Sequence, residues 1–366
     1  MKKVVIVVIM FVDLLILSYS FNIKGIKNFY LEQKSRFIVQ PFSFIVNKKG
    51  EIYLLDRKDG NIKIFNNKGK LIKVFGRKGV GPNEFLNPVV LAKQGDKIIV
   101  YDFKRRFLFL FSMDNFNNMK FVKKIEFGGL SLNIHFIDEA ILLISGMDFS
   151  KENEKYRKSY NLYTFNINSK KYDYLLSSAK CFGVKNQKEV DKIFINKINY
   201  LSVDSYADFS KRYFYYIHST DLKIIRLGRN NGKIDIFGKQ TRKYIKPNIS
   251  VELKKAIRMR KHNKVNEIEK KMSFILSLFY MDKSKVMVLF TSYNYINNKQ
   301  DIYMQLYDVN GKFIKESLLL NTQSEYKNDL RVYYNRKTKS LYILETVSSG
   351  SSDLKFRIHK FKITDK

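Results

Sequence analysis

A hairpin pattern that returns along the chain constrains the fold more than any other feature. Residues 50–76 read GEIYLLDRKDGNIKIFNNKGKLIKVFG, which is three short apolar-alternating runs separated by turn signals. Much of this pattern returns at 96–127, and FNNKGKLIK at 65–73 is echoed by YDVNGKFIK at 307–315. Internal repeats of roughly 40–50 residues are typical of propellers and similar arrays. We therefore expect one antiparallel unit to be repeated along the chain.

Strand signals set the number of units. Six segments are densest in β-branched or aromatic residues, which strands favour. They are Ile52–Leu55, Ile98–Tyr101, Ile141–Ile144, Arg212–Ile217, Val286–Phe290 and Leu341–Glu345. Each is followed by a second run, the first five by a third, and a weaker run such as Phe42–Val46 precedes each set. Four strands in each of six units predict an all-β fold, a six-bladed β-propeller with four-stranded antiparallel blades.

The sixth unit lacks its last strand, because the chain stops soon after the third run. A β-like stretch at Ile23–Leu31 has no place in the other units. We expect this N-terminal stretch to supply the missing outer strand, since closing a ring in this way protects the sheet edges and joins the two ends. A single domain over 21–366 follows.

The strong strands are unevenly spaced, and the excess residues form insertions, which collect in loops. One insertion spans Ser178–Lys197. Another, at 250–272, is predicted to be helical, because the apolar residues within Val251–Met272 follow a helical stripe that Asn263 could interrupt. It lies between the fourth and fifth units.

The first twenty residues have their own pattern. Lys2 and Lys3 precede an apolar stretch from Val4 to Leu17, and small residues follow at Ser18 and Ser20. This order is typical of a signal peptide. The apolar stretch is shorter than a membrane-spanning helix, which needs about 20 residues. We predict export with cleavage near Ser20, to the periplasm, cell surface or extracellular space. An uncleaved N-terminal anchor over 1–20 is the alternative.

The charge is strongly positive, with 68 Lys and Arg against 34 Asp and Glu. Such a charge attracts anionic lipid, acidic glycan or nucleic acid, although scattered lysines are also what a biased composition gives. The positive charge is densest in the segment Lys254–Lys271. The candidate contacts with an anionic surface are Arg258, Arg260, Lys261 and Lys264; the alternative is a solvated helical face.

Residues suited to metal binding or catalysis are scattered. Cys181 is the only cysteine, so an intrachain disulfide and a cysteine-based metal site are excluded. His135, His218, His262 and His359 do not pair at metal-ligand spacing. No cofactor is therefore predicted, although carboxylates and asparagines from several blades could assemble an axial calcium site.

Two strand ends and one glycine-rich segment carry the most specific local signals. Asp56 and Asp102 each end a strong strand before a turn, where a carboxylate usually accepts backbone N–H groups; a metal or acid/base pair is the alternative. Residues 75–88 read FGRKGVGPNEFLNP, whose glycines and proline suit a turn into a new strand. A phosphate cradle would need a following helix, and none is indicated.

The glycine-rich segment and the strand after it resemble a known repeat. Gly-Pro-x-Glu-Phe followed by Pro resembles the phrase between blades in NHL-repeat and related TolB-like six-bladed propellers. Ile52, Tyr53 and Asp56 resemble the strand phrase of that family, and Ile99, Tyr101 and Asp102 do so more loosely. The resemblance covers residues 41–127 and implies a six-bladed propeller that binds partners at one mouth.

The leading hypothesis is a monomeric, non-catalytic, extracytoplasmic binding or scaffold protein. Its ligand would be a protein or glycan held by loops at one mouth of the ring. The alternative is a metal-dependent hydrolase or lyase with its site on the propeller axis. Specific nucleic-acid binding conflicts with the export signal.

Overall fold

The computed structural model describes residues 21–32, 38–114, 118–148, 160–177, 205–247, 250–281, 285–326, 329–348 and 354–365. The predicted signal segment 1–20, Cys181 and the insertion at 178–197 lie outside these ranges.

Six four-stranded antiparallel sheets form the six blades of a β-propeller, as predicted. The first blade contains β2 (Pro41–Val46), β3 (Ile52–Asp56), β4 (Asn61–Phe65) and β5 (Leu71–Phe75). After the short pair β6 (Arg77–Lys78) and β7 (Glu84–Phe85), the second contains β8 (Pro88–Gln94), β9 (Lys97–Asp102), β10 (Phe107–Met113) and β11 (Met119–Glu126). The third contains β12 (Gly129–Phe136), β13 (Ile141–Asp148), β14 (Tyr160–Asn166) and β15 (Tyr172–Leu176).

The other three blades follow the same order from the centre of the ring outwards. The fourth contains β16 (Ser205–Phe209), β17 (Tyr213–His218), β18 (Ile224–Gly228) and β19 (Ile234–Phe237). The fifth contains β20 (Ile275–Met281), β21 (Lys285–Asn294), β22 (Lys299–Asp308) and β23 (Phe313–Asn321). The sixth contains β24 (Leu330–Asn335), β25 (Ser340–Ser348), β26 (Leu354–Asp365) and, from the other end of the chain, β1 (Phe21–Tyr30).

The N-terminal strand closes the ring. Strand β1 runs antiparallel to β26, with Ile23 opposite Ile363 and Tyr30 opposite Arg357. The outer edge of the sixth blade is thus formed by the stretch that the sequence left unassigned. Pairing the two ends of the chain satisfies backbone groups that would otherwise form an open sheet edge.

The core lies between adjacent blades. One buried cluster, for example, joins Tyr53 and Ile62 of the first blade to Val100 and Phe109 of the second. Burying each such apolar side chain contributes about 1.5–3 kcal/mol. The outer strand β5 instead alternates half-buried and exposed residues, because only one of its faces meets a neighbour. The apolar residues that alternate along the predicted strands therefore form the faces on which neighbouring blades pack.

The insertion between the fourth and fifth blades forms two short helices rather than one. Helix α1 spans Val251–Arg258 and helix α2 spans His262–Glu269. Ser250 caps α1 by accepting a hydrogen bond from the Leu253 backbone N–H at 3.1 Å. The break falls before Asn263, at 259–261, where Arg260 adopts a left-handed backbone with φ of 53°. That conformation ends a right-handed helix, so the expected single stripe is interrupted there.

Candidate functional site

The six inner strands surround a central channel with a cavity of about 1080 Å³. Strands β2 and β24 run in the same direction along it, because Arg331 contacts Phe42 near their starts and Asn335 contacts Val46 near their ends. We call the end where the inner strands begin the first mouth, and the end where they finish the second mouth. Both mouths carry ionisable side chains from more than one blade.

Two arginines meet one aromatic ring at the first mouth. The guanidinium of Arg57 lies 5.0 Å from the ring centroid of Phe42, and that of Arg331 lies 5.3 Å from the same centroid. Arg331 also donates from Nε to the Phe42 carbonyl oxygen at 2.9 Å. We call Phe42, Arg57 and Arg331 the arginine cluster. It lies at the seam between the first and sixth blades and lines the channel.

Asp329 lines the same cavity just before β24. Burial raises the pKa of its carboxyl to about 6, while the positive charge of Arg331 acts in the opposite direction. Glu325 and Glu345 add smaller repulsive contributions that raise the pKa further. The first mouth therefore combines two arginines with a carboxyl group whose charge is disfavoured by its surroundings.

Asp56 holds the chain in place at this mouth. Its carboxylate accepts hydrogen bonds from the backbone N–H groups of Val39 at 2.7 Å and Gln40 at 3.2 Å, which lead into β2. It also accepts from Lys58 and Asp59 in the following turn. The structural interpretation of this residue is confirmed, and it extends to the loop that enters the blade.

Asp102 has the equivalent role one blade later. Its carboxylate accepts hydrogen bonds from the backbone N–H groups of Leu86 at 2.6 Å and Asn87 at 3.1 Å. Asn87 in turn accepts a hydrogen bond from Arg57 Nε at 2.5 Å. The repeated Asp therefore orders the loops that enter the first two blades, and in the second blade it also fixes Asn87, which orients Arg57.

The glycine-rich segment folds onto its own carboxylate. Glu84 accepts hydrogen bonds from the Gly81 N–H at 2.9 Å and from Arg77 Nε at 2.6 Å, which lower its pKa. A Cβ atom at Gly79 would clash with the Glu84 carboxylate. The N–H of Gly81 is thus already used within the loop, which supports the predicted turn rather than a phosphate cradle.

An ion pair crosses the second mouth. Arg336, just after β24, donates to the carboxylate of Asp208 on β16, and this carboxylate also accepts from the Tyr280 N–H at 2.8 Å. His135 lines the channel beside them and lies 3.1 Å from the amide nitrogen of Asn133. Burial lowers the pKa of His135, and the charge of Asp208 opposes that shift. The pair joins the fourth and sixth blades across the ring.

Lys93 is the most perturbed cation at the second mouth. Its pKa falls to about 8, first because burial disfavours the ammonium and then because Lys337 repels it, while Asp96 opposes both effects.

We expect an acylating reagent at pH 8 to modify Lys93 before the exposed Lys49. Lys337→Gln should raise the pKa of Lys93 and slow its modification, which peptide mass spectrometry would measure. Equal rates for Lys93 and Lys49 in the unaltered protein would contradict this environment.

The four predicted surface contacts lie away from the channel lining. Arg258 ends α1, Arg260 and Lys261 form the break between the helices, and Lys264 lies on α2; all four side chains are exposed. Lys264 pairs with Glu252 at 2.8 Å. Their role at an anionic surface stays a prediction.

Three of the four histidines occupy different blades, and His262 begins helix α2. His135 lines the channel, His218 ends β17 beside Thr220, and His359 on β26 lies 2.7 Å from the Glu345 carboxylate. In the described ranges no three His, Cys, Asp or Glu side chains gather as a metal site would require. The axial calcium site stays a prediction.

Sequence reasoning missed the arginine cluster, Asp329, the Asp208–Arg336 pair and Lys93. One signal could have indicated Arg57, because it follows the strand-ending Asp56 at the mouth where the loops enter. The other residues have no local motif. Their positions become meaningful only when the ring brings the inner strands together.

A family model for six-bladed β-propellers, DUF5128, matches residues 14–343. The chain belongs to this family. The more specific resemblance to NHL-repeat and TolB-like propellers stays a prediction. No curated protein matches the sequence.

Solved structures share the fold of this DUF5128 propeller at low identity. A DUF4221 protein from Bacteroides vulgatus is 11% identical, with a TM-score of 0.62 over 94% of this chain and 99% of that one. A Bacteroides fragilis protein inferred to be exported is 12% identical, with a TM-score of 0.56 over 94% and 95%. The PQQ-bound aldose sugar dehydrogenase of Streptomyces coelicolor is 10% identical, with a TM-score of 0.54 over 94% and 99%. These similarities show the fold alone.

Among the described residues, no helix has the length and apolar character needed to span a bilayer.

Proposed function

We propose that this DUF5128 propeller is an exported, non-catalytic binding protein whose ligand is an anionic glycan or protein segment held in the central channel. The observation that carries the proposal is the charge of the channel lining. Arginines line the first mouth, and the second mouth adds Lys48, Lys49, Lys93, Arg336 and Lys337. Among the described residues, Asp208 and Asp329 are the carboxylates of this lining, and Arg336 already neutralises Asp208. A channel of this sign concentrates anions.

Export is supported by the signal pattern at 1–20 and by the Bacteroides fragilis structure that shares the fold. The helical insertion supplies a second basic surface through Arg258, Arg260, Lys261 and Lys264. We propose that this surface contributes long-range attraction to an acidic envelope. The NHL-like phrase supports a binding role of the kind that the resemblance implies.

A binding panel tests this proposal. The purified full chain is applied to immobilised glycans and peptides that differ in charge, at low and high salt. We expect anionic members to bind, with affinity falling as salt rises, because screening weakens exposed charge interactions. Exclusive binding of neutral members, or equal binding of both, would contradict the proposal.

The alternative hydrolase or lyase has no supporting cluster of metal ligands in the described ranges. Elemental analysis of the purified protein and a thermal melt with and without EDTA distinguish the two functions. We expect no stoichiometric calcium or zinc and no shift on chelation. A tightly bound ion whose removal lowers Tm would favour the enzyme.

A further inference from the structure

We propose that the arginine cluster is a binding subsite for the oxyanion of an acidic sugar, with Arg57 making the direct contact. This inference rests on the proposed function and narrows it to one mouth of the channel and one ligand class. The oxyanion is a carboxylate or phosphate, the two groups that a guanidinium matches with paired N–H donors.

The guanidinium of Arg57 is fixed in position by its neighbours, but only some of its N–H groups donate hydrogen bonds within the protein. Its Nε donates to Asn87 Oδ1 at 2.5 Å, and its guanidinium lies against the Phe42 ring. Neither terminal nitrogen hydrogen-bonds to a described residue, and no described carboxylate pairs with it. The Asn87 backbone is itself fixed by Asp102. The paired N–H donors of the Arg57 guanidinium are therefore oriented before the ligand binds, which reduces the entropic cost of binding.

Arg331 adds a second positive charge at the same ring. Its Nε and Nη1 donate to the carbonyl oxygens of Phe42 and Leu330, at 2.9 and 2.8 Å. Two cations held against one ring repel each other, and an anion between or beside them offsets that repulsion. Arg331 also joins the first and sixth blades, so we assign it a positioning role as well as an electrostatic one.

Asp329 opposes anion binding at this mouth. It lines the cavity and interacts electrostatically with Arg331. An ionised Asp329 lowers the net positive charge available to a ligand. Its removal should therefore strengthen binding, which a purely structural role for the cluster would not predict.

The size and lining of the channel favour a sugar. A cavity of about 1080 Å³ lies just above the usual range for small-molecule sites, which is about 300–1,000 Å³. Phe42 and Tyr333 offer aromatic surface, and Gln40 and Ser43 offer neutral hydrogen-bonding groups in the same wall. Such a mixture suits a ring that carries hydroxyl groups and one charge.

The test is calorimetric titration of the folded full chain with three probes: trigalacturonate, glucose 6-phosphate and neutral galactotriose. The first two separate a carboxylate from a phosphate. We expect one or both charged sugars to bind and galactotriose not to bind. Arg57→Gln should weaken binding by about 10-fold or more, because a hydrogen bond to a charged group is lost. Arg57→Lys, which keeps the charge but loses the fork, should weaken it less.

Two further variants complete the design. Lys58→Gln is the matched control, since it removes an exposed positive charge at the next residue, and it should change affinity by at most roughly twofold. Asp329→Asn should tighten binding by roughly threefold. Thermal melts confirm that each variant is folded; if Arg57→Gln does not fold, Arg57→Lys and Asp329→Asn carry the test.

The outcomes separate this subsite from the proposed function. Equal affinity of Arg57→Gln and Lys58→Gln would overturn the subsite and leave channel binding in place. Binding of other anionic members of the panel without either charged sugar would also overturn the subsite alone. Failure of all anionic probes, in the panel and here, would overturn both.

Discussion

Replacing Asp56 with Ala is expected to destabilise the protein by about 3–5 kcal/mol, the usual cost of breaking a buried ion pair. The side chain of Asp56 is fully buried, and it pairs at 2.8 Å with Lys63, whose side chain is 3% exposed. The substitution also removes the acceptor for the backbone N–H groups of Val39 and Gln40. Urea unfolding followed by fluorescence or circular dichroism would measure the change.

Asp59→Ala is the matched control. Asp59 pairs with the same ammonium at 2.6 Å, but its side chain is 34% exposed, so its loss should cost about 1 kcal/mol or less. Adding Lys63→Met to Asp56→Ala should recover part of the stability, because it removes a buried ammonium whose remaining partner is the partly exposed Asp59. If Asp56→Ala costs no more than Asp59→Ala, the carboxylate does not hold the blade entrance as described.

Deleting residues 21–30, which form β1, is expected to abolish the cooperative thermal transition or to lower Tm by more than about 10 °C. The deletion removes the outer strand of the sixth blade and exposes the backbone edge of β26. Apolar contacts with Ile363 and Phe361 are lost with it. Differential scanning calorimetry with size-exclusion chromatography would record both the transition and any aggregation through the exposed edge.

A synthetic peptide of residues 21–31 provides the control for this deletion. Added in excess, it should restore part of the transition, since it can pair with β26 as β1 does. A scrambled peptide of the same composition should have no effect. A deletion variant as stable as the intact chain would show that ring closure does not depend on β1.

The fold was largely predictable because each blade leaves a local record in the sequence. The alternation in IYLLD and NIKIF, separated by a turn, predicts β3 and β4 from neighbouring residues alone. The roles of Asp56 and Asp102 at the ends of their strands were also predictable locally. Each carboxylate accepts hydrogen bonds from the loop that enters its own blade. The helix break that the sequence allowed at Asn263 lies instead at Arg260, and nothing in the residue type of Arg260 requires the left-handed backbone found there.

The candidate site could not be predicted in the same way. Arg331 meets the Phe42 ring across a separation of 289 residues, and Arg336 meets Asp208 across 128. Such contacts depend on the order and curvature of all six blades, which no local pattern specifies. Lysines and arginines are also so numerous that the few facing the channel do not differ in sequence from those facing solvent.

Hydrogen exchange of the full chain, with and without trigalacturonate or glucose 6-phosphate, tests most directly whether an anionic ligand occupies the channel. The account predicts slower exchange in peptides covering β2, β24 and the turn after β3, with no change over helices α1 and α2. Protection confined to the helices that carry Arg258, Arg260, Lys261 and Lys264, with none on the inner strands, would contradict it.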